Sequence, residues 1–444
     1  MKPETIELSI RLGPLSSFKH HPLRICIDAR INTGEVGGVE QFVIGLVDAL
    51  SRLADGDEEY LILHYSDPDN WIKPYVSGAC RMVYVTAAAR PPGWSLFLRK
   101  TPALRTASRF VKPFFRRLGG NGRRLDLLSP SSNSTLRRVG AELIHFTTQH
   151  AFLTEVPSIY QAWDLQHLHL PEFFTSQGAE DREISYRAFC AQAKMVVAAS
   201  TWNQRDIMHH YGLSEDKVRI IPPGPVLSAY PAPTRKDLEA TRRKFALPDV
   251  FVFYPAKTWP HKNHIGLVEA IAHLRDRLGI RVHLVSSGRL NGFYTEIQKK
   301  ISELGLSAQV QFLGFVTPLE LQCLYRLCRC MAYPTKFEGF GMPILEAFLT
   351  NVPIACSNVT SLPKLAREAA LVFDPYTLEE IAEALKCLWT DDALCRTLVK
   401  RGQLRVRDFS WPKSARTFRA HYRAIANRPL NEEDRALLVE KMPI

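Results

Sequence analysis

The stretch 330–346, CMAYPTKFEGFGMPILE, has the pattern of a buried strand followed by a glycine-containing loop and a helix. The apolar run CMAYPT predicts the strand, and Pro343 suits the first helical position, where its missing N–H is no loss. Gly339 and Gly341 allow the backbone of the loop to come close to a ligand. Loops that leave the carboxyl end of a strand in an open α/β sheet are the usual place for a ligand.

Short apolar runs alternate with helical patterns along the rest of the chain. LRICIDAR at 23–30 and VFVFYPA at 250–256 predict buried strands, and an apolar stripe that begins at Leu267 predicts a helix ending at Gly279. Strands that alternate with helices are typical of a mostly parallel sheet. We therefore expect an α/β protein.

A proline-rich segment at 222–237, PPGPVLSAYPAPTRKD, interrupts the alternation and predicts an interdomain linker. A chain of 444 residues is also too long for a single core. We expect one Rossmann-like, doubly wound domain over 1–228 and a second over 229–411, facing each other across a cleft. A helical tail over 412–444 is expected to pack back on the first domain.

The composition limits the class of protein and of partner. A hydrophobic content of 46% and a charged content of 23% are those of a folded protein. No apolar run is long enough for a membrane span, and the first residues lack the apolar region of a signal peptide. Nine cysteines without a CxxC pair indicate a reduced, cytoplasmic protein. The net charge of +12 favours anionic partners.

Two acids bracket the glycine-containing loop. Glu338 precedes Gly339, and Glu346 lies in what the pattern predicts to be the first turn of the helix. The N–H groups around Gly341, Met342 and Ile344 are expected to face the cleft and to bind an anion or a hydroxyl. Two carboxylates would repel a bare phosphate but suit a ligand with both hydroxyls and phosphates. The alternative is that Glu346 only stabilises its own helix, by about 0.3–1 kcal/mol.

Two lysines are candidates for neutralising such phosphates. Lys257 and Lys262 lie in YPAKTWPHKN at 254–263, directly after the first strand of the second domain. A lysine ammonium serves as a point charge for phosphate. The alternative is a pair of solvated loop lysines, which is the commoner situation of this residue.

The chain resembles the retaining glycosyltransferases of the GT-B fold, in the large family that includes bacterial mannosyl- and glucosyltransferases. The stretch EGFGMPILEA matches that family's E-x7-E motif, in the expected setting between a strand and a helix. Further likeness lies in GGVEQFVIGLVDAL, YPAKTWPHKN, VVAASTWNQRDIMHHYG, VRIIPPG, VQFLGFVTPLELQCLYRLC and FSWPKSARTFRAHY. The resemblance extends over roughly residues 23–425.

The resemblance implies roles for most of these residues. Glu338 would contact the transferred sugar, Glu346 would hold the ribose of the nucleotide, and Lys257 and Lys262 would neutralise the departing diphosphate. Basic side chains would thus replace a metal ion, so no metal and no cofactor is expected. The second domain would bind the nucleotide sugar and the first the acceptor. The donor-binding positions would be Gly37, Gly38, Gly339, Phe340, Gly341, Met342, Pro343, Ile344 and Glu346.

The segment YQAWDLQHLHLPEFF at 160–174 departs from the family pattern. Relatives often have His-Asp-Leu here, with the histidine near the sugar and the acceptor, but this chain has Trp163 in place of that histidine. Asp164 remains as the candidate that positions an acceptor hydroxyl. His167 is a further acceptor-side candidate, although a lone histidine is more often structural.

The segment 97–124 carries nine basic residues, no acid, and interleaved phenylalanine and leucine. Such a stretch is able to lie on an anionic membrane surface, with each basic residue adding about 1 kcal/mol, and the alternative is a solvated basic loop. It is also the one candidate for nucleic-acid contact, which we do not expect because stacking aromatic residues are scarce. The DxD-like strings at 55–57 and 67–69 are interpreted as surface acids and not as metal ligands.

The sequence therefore predicts a cytoplasmic, metal-independent hexosyltransferase that uses a GDP- or UDP-linked sugar and retains the anomeric configuration. Mannose from GDP-mannose is the first donor candidate. A glycan or lipid-linked oligosaccharide of surface polysaccharide synthesis is the first acceptor candidate, reached from the inner face of the cytoplasmic membrane. Three alternatives stay open: transfer to a soluble sugar, nucleotide-sugar epimerisation, and nucleotide-sugar binding without catalysis.

Overall fold

The computed structural model describes residues 21–31, 37–65, 71–85 and 130–440. Two parallel sheets, of seven and six strands, form the centre of this part of the chain. The strands of the first sheet are β1 (Leu23–Asp28), β2 (Glu58–Tyr65), β3 (Cys80–Val85), β4 (Leu143–Phe146), β5 (Ser158–Gln161), β6 (Met195–Ala198) and β7 (Val218–Ile220). Those of the second are β8 (Val252–Pro255), β9 (Leu284–Ser287), β10 (Val310–Phe312), β11 (Cys330–Tyr333), β12 (Ile354–Ser357) and β13 (Leu371–Phe373).

Helices connect the strands and cover the sheets, so most of the inner strands are buried throughout. Those that precede the second sheet are α1 (Gly38–Ser51), α2 (Pro130–Arg138), α3 (Gln166–His169), α4 (Ser176–Gln192), α5 (Thr201–Tyr211) and α6 (Arg235–Lys244). The others are α7 (His264–Leu278), α8 (Tyr294–Glu303), α9 (Pro318–Leu327), α10 (Met342–Leu349), α11 (Leu362–Ala366), α12 (Leu378–Thr390), α13 (Asp392–Arg405), α14 (Trp411–Ile425) and α15 (Glu432–Val439).

The two sheets share one strand order over six strands, and the first has a seventh strand at its edge. The first runs β3-β2-β1-β4-β5-β6-β7 and the second β10-β9-β8-β11-β12-β13. In each sheet the first three strands are added toward one edge, and the fourth is placed on the other side of the first strand. This switch lies between β1 and β4 in the first sheet and between β8 and β11 in the second. Ligands of such sheets bind at this switch point, beyond the carboxyl ends of the strands. The prediction of two Rossmann-like domains is confirmed, and the topology directs attention to the loops after β1, β8 and β11.

The predicted linker is folded against the helices on either side of it. Val226, Leu227 and Tyr230 are buried, and Tyr230 Oη donates a 2.5 Å hydrogen bond to Gln41 of α1. The proline-rich composition therefore marks the crossing between the two sheets without producing an exposed tether. The strands of the two sheets fall on either side of this segment, whereas the boundaries at 228 and 411 stay predictions.

Helix α14 packs against α1 after the chain has left the second sheet. The Phe42 ring of α1 lies edge-on to Trp411, with centroids 5.3 Å apart, and to Phe418, with centroids 6.3 Å apart. Arg423 donates to Glu58 at 2.6 Å and to Asp434 at 2.8 Å. Aromatic packing and this buried ion network fix the C-terminal helix to the first sheet.

Two predictions concern surface segments. Asp55, in the first DxD-like string, forms an ion pair with Arg419 of α14, and this bond lowers the pKa of the carboxyl group. The second string and the basic segment 97–124 lie outside the described residues. Among the helices of the described ranges, none combines the length and apolar character that a bilayer crossing requires.

Candidate functional site

The two switch-point loops of the second sheet meet at an ion pair. β8 and β11 are adjacent and parallel, with Cys330 opposite Val252, so the loops that follow them leave the same edge. Lys262 Nζ, from the loop after β8, donates a hydrogen bond to Glu338 Oε1, from the loop after β11. Tyr333 Oη donates to the same carboxylate oxygen at 2.8 Å. The structure thus brings the predicted lysine and the predicted glutamate together.

Further hydrogen bonds to backbone carbonyl oxygens hold the two loops in place. The carbonyl oxygen of His261 accepts from the N–H of Lys336 at 2.7 Å and from Thr335 Oγ1 at 3.3 Å. Tyr254 Oη donates to the carbonyl oxygen of Lys262 at 2.6 Å. The Lys262 and Glu338 side chains are 18% and 13% exposed, so solvent screens the attraction between their charges only in part. Such a preorganised pair costs little reorganisation when a charged ligand arrives.

Glu346 lies deeper, on the second turn of α10. It is 4% exposed, and its Oε2 accepts a 2.7 Å hydrogen bond from Tyr325 Oη of α9. Burial raises the pKa of this carboxyl group to about 7, although the tyrosine bond acts in the opposite direction. The first turn of α10 contains no acidic residue, so the expectation that Glu346 lies there is wrong. The alternative, that Glu346 only stabilises the helix end, depended on that position.

The start of α10 also differs in detail from the prediction. The helix begins at Met342, which makes Pro343 its second residue. The N–H of Ile344 donates to the carbonyl oxygen of Gly341 at 3.0 Å, and its side chain is fully buried. This N–H is therefore not free, contrary to the expectation from the sequence, while donor binding by Ile344 stays a prediction. Gly341, at φ 107°, turns the chain into the helix in a conformation that favours glycine.

The amino end of α1 faces the second sheet's loops. A Cβ atom added at Gly37 would lie 3.1 Å from Lys257 Cε, and one added at Gly38 would lie 3.1 Å from Met342 Cε. Gly37 has φ 58°, a backbone angle that side-chain-bearing residues rarely adopt. The first domain thus presents the positive end of a helix beside Lys257, where an anion would be stabilised.

Asp164 follows the carboxyl end of β5 and lies near Gly339, in the loop that carries Glu338. A Cβ atom at Gly339 would lie 2.0 Å from the carbonyl oxygen of Trp163 and 3.4 Å from Asp164 Cβ. Asp164 accepts from the N–H of Gln166 at 3.0 Å and from Gln149 Nε2 at 3.3 Å, and Arg182 Nη2 lies 3.5 Å away. The structure therefore places Asp164 next to Gly339, where the two halves contact each other.

The two other positions in this segment are buried. The Trp163 indole packs edge-on against Phe42, with centroids 4.8 Å apart, and its N–H donates to the carbonyl oxygen of Thr147 at 2.9 Å. His167 is 2% exposed, and its Nε2 lies 3.0 Å from Glu183 Oε2. The indole belongs to the core, at the position where the family resemblance implies a histidine. An acceptor-side role of His167 stays a prediction, while the geometry gives the ring a structural contact.

Several residues at the site carry no local sequence signal that distinguishes them. Ser200 Oγ donates to the carbonyl oxygen of Gly339 at 3.1 Å, which ties the amino end of α5 to the loop of the other half. Tyr333, Tyr325 and Arg182 contact the candidate acids, but tyrosine in a buried strand or helix is ordinary core composition. Only the helix-capping context of Ser200, in AAST, is visible in the sequence.

Family models match both halves of the chain. Residues 36–227 match the model described as Glycosyltransferase Family 4, and residues 237–405 match the one described as Glycosyl transferases group 1. The first match contains the amino end of α1 and Asp164, and the second contains both lysines and both glutamates. The two matches extend together over most of the polypeptide.

Individual proteins are similar over part of their length. The O-antigen chain mannosyltransferase B of Escherichia coli is 27% identical over 249 residues, which are 56% of this chain and 65% of that protein. The D-inositol 3-phosphate glycosyltransferase of Corynebacterium glutamicum (strain R) is 28% identical over 268 residues, which are 57% of this chain and 63% of that protein. The chain thus covers less than two thirds of each relative.

The fold has counterparts among solved structures. Anabaena Alr3699/HepE in complex with UDP and glucose superposes with a TM-score of 0.65 over 90% of this chain and 100% of that chain, at 17% identity. Two domains of the same strand order, the paired loops at the switch point and the two family matches agree with one another. The chain belongs to the glycosyltransferases of the GT-B fold, with a Family 4 region followed by a group 1 region.

Proposed function

We propose that the protein transfers a hexose from a nucleotide diphosphate sugar to an acceptor hydroxyl, with retention of configuration and without a metal ion at the diphosphate. The observation that carries this proposal is that Lys262 contacts Glu338 while the amino end of α1 lies beside Lys257 and Met342, which belong to the same two loops as that ion pair or directly follow them. A cation, a carboxylate and a helix terminus together complement a ligand with both phosphates and hydroxyls. The resemblance to nucleotide-sugar enzymes supports the same ligand.

Each candidate residue has a role in this proposal. Lys257 and Lys262 neutralise the charge that develops on the leaving diphosphate, which is the largest contribution to the rate. Glu338 accepts hydrogen bonds from the hydroxyls of the transferred sugar, and Glu346 holds the ribose hydroxyls. Asp164 positions the acceptor hydroxyl on the face from which the diphosphate departs. The basic side chains thus take the part that Mg²⁺ has in other phosphoryl-containing sites.

The first acceptor candidate is a growing glycan of surface polysaccharide synthesis, with mannose from GDP-mannose as the donor. Similarity to the O-antigen chain mannosyltransferase B supports this choice. The basic segment 97–124 would bring the enzyme to an anionic membrane surface, where a lipid-linked acceptor is found.

A second candidate acceptor is a soluble phosphorylated polyol. It is favoured by the similarity to a D-inositol 3-phosphate glycosyltransferase, which covers a share of this chain comparable to that of the mannosyltransferase match. An acceptor phosphate would need a cation on the first domain, and Arg182 lies beside Asp164. The two candidates differ in whether transfer requires a lipid-linked substrate.

The donor is tested by thermal unfolding of the full chain with GDP-mannose, UDP-glucose, GDP and UDP. A ligand that binds only the folded state at 100 times its Kd stabilises it by about 2.7 kcal/mol. We expect the melting temperature to rise with the guanine compounds and to stay unchanged with the uracil compounds. A rise with the uracil compounds alone would make UDP-glucose the donor candidate in place of GDP-mannose. The absence of a response to any nucleotide sugar would overturn the proposal.

Transfer is then measured with the responding donor and with two acceptors, a lipid-linked mannose oligosaccharide and inositol 3-phosphate. Glu338→Ala should still respond to the nucleotide diphosphate but should transfer sugar at least about 100-fold more slowly. NMR of the product gives the anomeric configuration. Donor binding without transfer to either acceptor would favour a nucleotide-sugar-binding protein, and an inverted product would contradict retention.

The contact between the halves gives a further prediction. Gly339→Ala should lower kcat/KM by about 100-fold, because the added methyl would collide with the carbonyl oxygen of Trp163 and push the halves apart. Gly292→Ala is the matched control, since its Cβ would meet nothing within 4 Å. Small-angle scattering should show a larger radius of gyration for Gly339→Ala only. Equal kcat/KM for both variants would show that the close approach is irrelevant to transfer.

A further inference from the structure

A cluster of two histidines and one aspartate lies on the first domain, beside the loop that carries Glu338. His169 Nε2 is 2.8 Å and His210 Nε2 is 3.4 Å from the same oxygen, Asp206 Oδ1. One ligand atom from each of the three residues lies within 4.8 Å of the other two. Asp206 and His210 are four residues apart on α5 and therefore share a face of that helix, while His169 ends α3.

The distances fit a transition-metal ion. Ligand atoms at about 2.0–2.1 Å from a tetrahedral zinc ion are about 3.3 Å apart, which small side-chain rotations would reach from the observed separations. Imidazole nitrogen together with a carboxylate oxygen is a donor set that suits Zn²⁺, Co²⁺ and Ni²⁺ and suits Mg²⁺ poorly. The three protein ligands would leave one position for water.

The buried carboxylate gives a second, independent indication of a ligand. Asp206 is 9% exposed, and its Oδ2 has no hydrogen-bond partner within the described ranges of the chain. A buried carboxylate oxygen without a partner is costly, and a divalent cation beside it removes that cost. The two histidine side chains are each 32% exposed, so an ion has an open path to the cluster.

The cluster is connected to the candidate donor site through an aromatic contact. The His169 ring lies against Phe337, with centroids 5.3 Å apart, and Trp202 lies edge-on to the same phenylalanine at 5.4 Å. Phe337 directly precedes Glu338 in the chain. An ion that fixes the His169 ring would therefore also fix the surface on which the Glu338 loop rests.

We propose that His169, Asp206 and His210 bind a divalent transition-metal ion of the zinc class, which stabilises the contact between α3, α5 and Phe337. The ion has a structural role, and the proposal does not depend on which sugar the cleft binds. It adds no ligand for the diphosphate, whose charge is assigned to Lys257 and Lys262.

The site is tested on the untagged full chain after chelation and removal of the chelator. Titration with Co²⁺, followed by its visible absorption, should show one saturable site, and Zn²⁺ should displace the cobalt and raise the melting temperature. Loss of an outer partner of a metal ligand already weakens binding by 10–100-fold. We therefore expect Asp206→Asn and His210→Ala each to weaken Co²⁺ binding by at least about 100-fold.

His273→Ala is the matched control, because this histidine lies on α7 of the second half and outside the cluster. It should bind Co²⁺ as the parent does. A cooperative melting transition of each variant without metal establishes that it is folded. Because the two ligand substitutions are at different residues, the test can still be made if one of the variants does not fold. Absence of saturable binding in the parent, or equal affinity in the parent and a folded ligand variant, would overturn the proposal.

Discussion

Lys262→Met should lower kcat for sugar transfer by about 10²–10³-fold, which corresponds to about 2.7–4 kcal/mol of lost transition-state stabilisation. Lys262 lies in the loop that leaves the carboxyl end of β8, at the switch point of the second sheet, where such sheets bind their ligands. Methionine retains most of the apolar stem and removes the charge. Because the charge on the diphosphate grows as the sugar leaves, kcat should fall more than donor affinity.

The matched control is Lys336→Met, in the neighbouring loop. The Lys336 ammonium lies 5.1 Å from the ring centroid of Tyr376, and its contact is therefore with an aromatic ring and not with Glu338. We expect its kcat to stay within about threefold of the parent. Equal losses in the two variants would indicate a general effect of positive charge near the cleft, and unchanged kcat in Lys262→Met would remove this lysine from the mechanism.

A structural effect of losing Lys262 is separable from a catalytic one. Glu338 would remain largely buried without its cation, so Lys262→Met should also lower the melting temperature. Adding Glu338→Gln removes the unpaired charge and should restore much of that stability. The double variant should nevertheless stay inactive, because neither the cation nor the carboxylate is recovered. Recovery of activity together with stability would mean that Lys262 is structural.

The secondary structure was predictable because its signals are local. The runs LRICIDAR, VFVFYPA and CMAYPT each contain a strand, and the helix predicted to end at Gly279 ends there. Parallel pairing and burial on both faces produce these continuous runs. The meeting of Lys262 and Glu338 also followed, since loops after adjacent parallel strands leave one edge of a sheet.

The contacts between distant segments were not predictable in the same way. The bond from Ser200 to Gly339 joins residues 139 positions apart, and the approach of Gly339 to Trp163 involves a carbonyl oxygen that every residue has. The buried position of Glu346 depends on Tyr325, which the sequence presents as one more apolar residue of α9. Pattern and propensity contain no information about which surfaces meet, so these features require the tertiary structure.

Glu346→Gln should stabilise the ligand-free protein by about 3 kcal/mol at pH 8 and by less than about 1 kcal/mol at pH 5. Burial raises the pKa of Glu346 from its ordinary value of 4.5 to about 7. Between these two values the unfolded chain releases the proton while the folded protein keeps it, so stability falls as pH rises through this window and is lowest above pH 7. Glutamine cannot ionise and avoids this loss, while its carbonyl oxygen can still accept from Tyr325.

Denaturant unfolding at the two pH values measures this difference, with Glu303→Gln as the control. Glu303 is about half exposed on α8, so its substitution removes a glutamate from the surface instead of from the interior. An equal change at both pH values in Glu346→Gln would contradict the raised pKa of the buried carboxyl group.

The same substitution should weaken donor binding. A hydrogen bond to an ionised group contributes about 1.5–3 kcal/mol, so the loss of a carboxylate that holds the ribose should raise the donor Kd by at least about tenfold. The substitution is thus expected to raise the free energy of unfolding and to lower donor affinity. This combination is typical of a residue that serves binding and destabilises the fold. If Glu346→Gln gains stability and binds the donor as the parent does, the carboxylate does not contact the ribose.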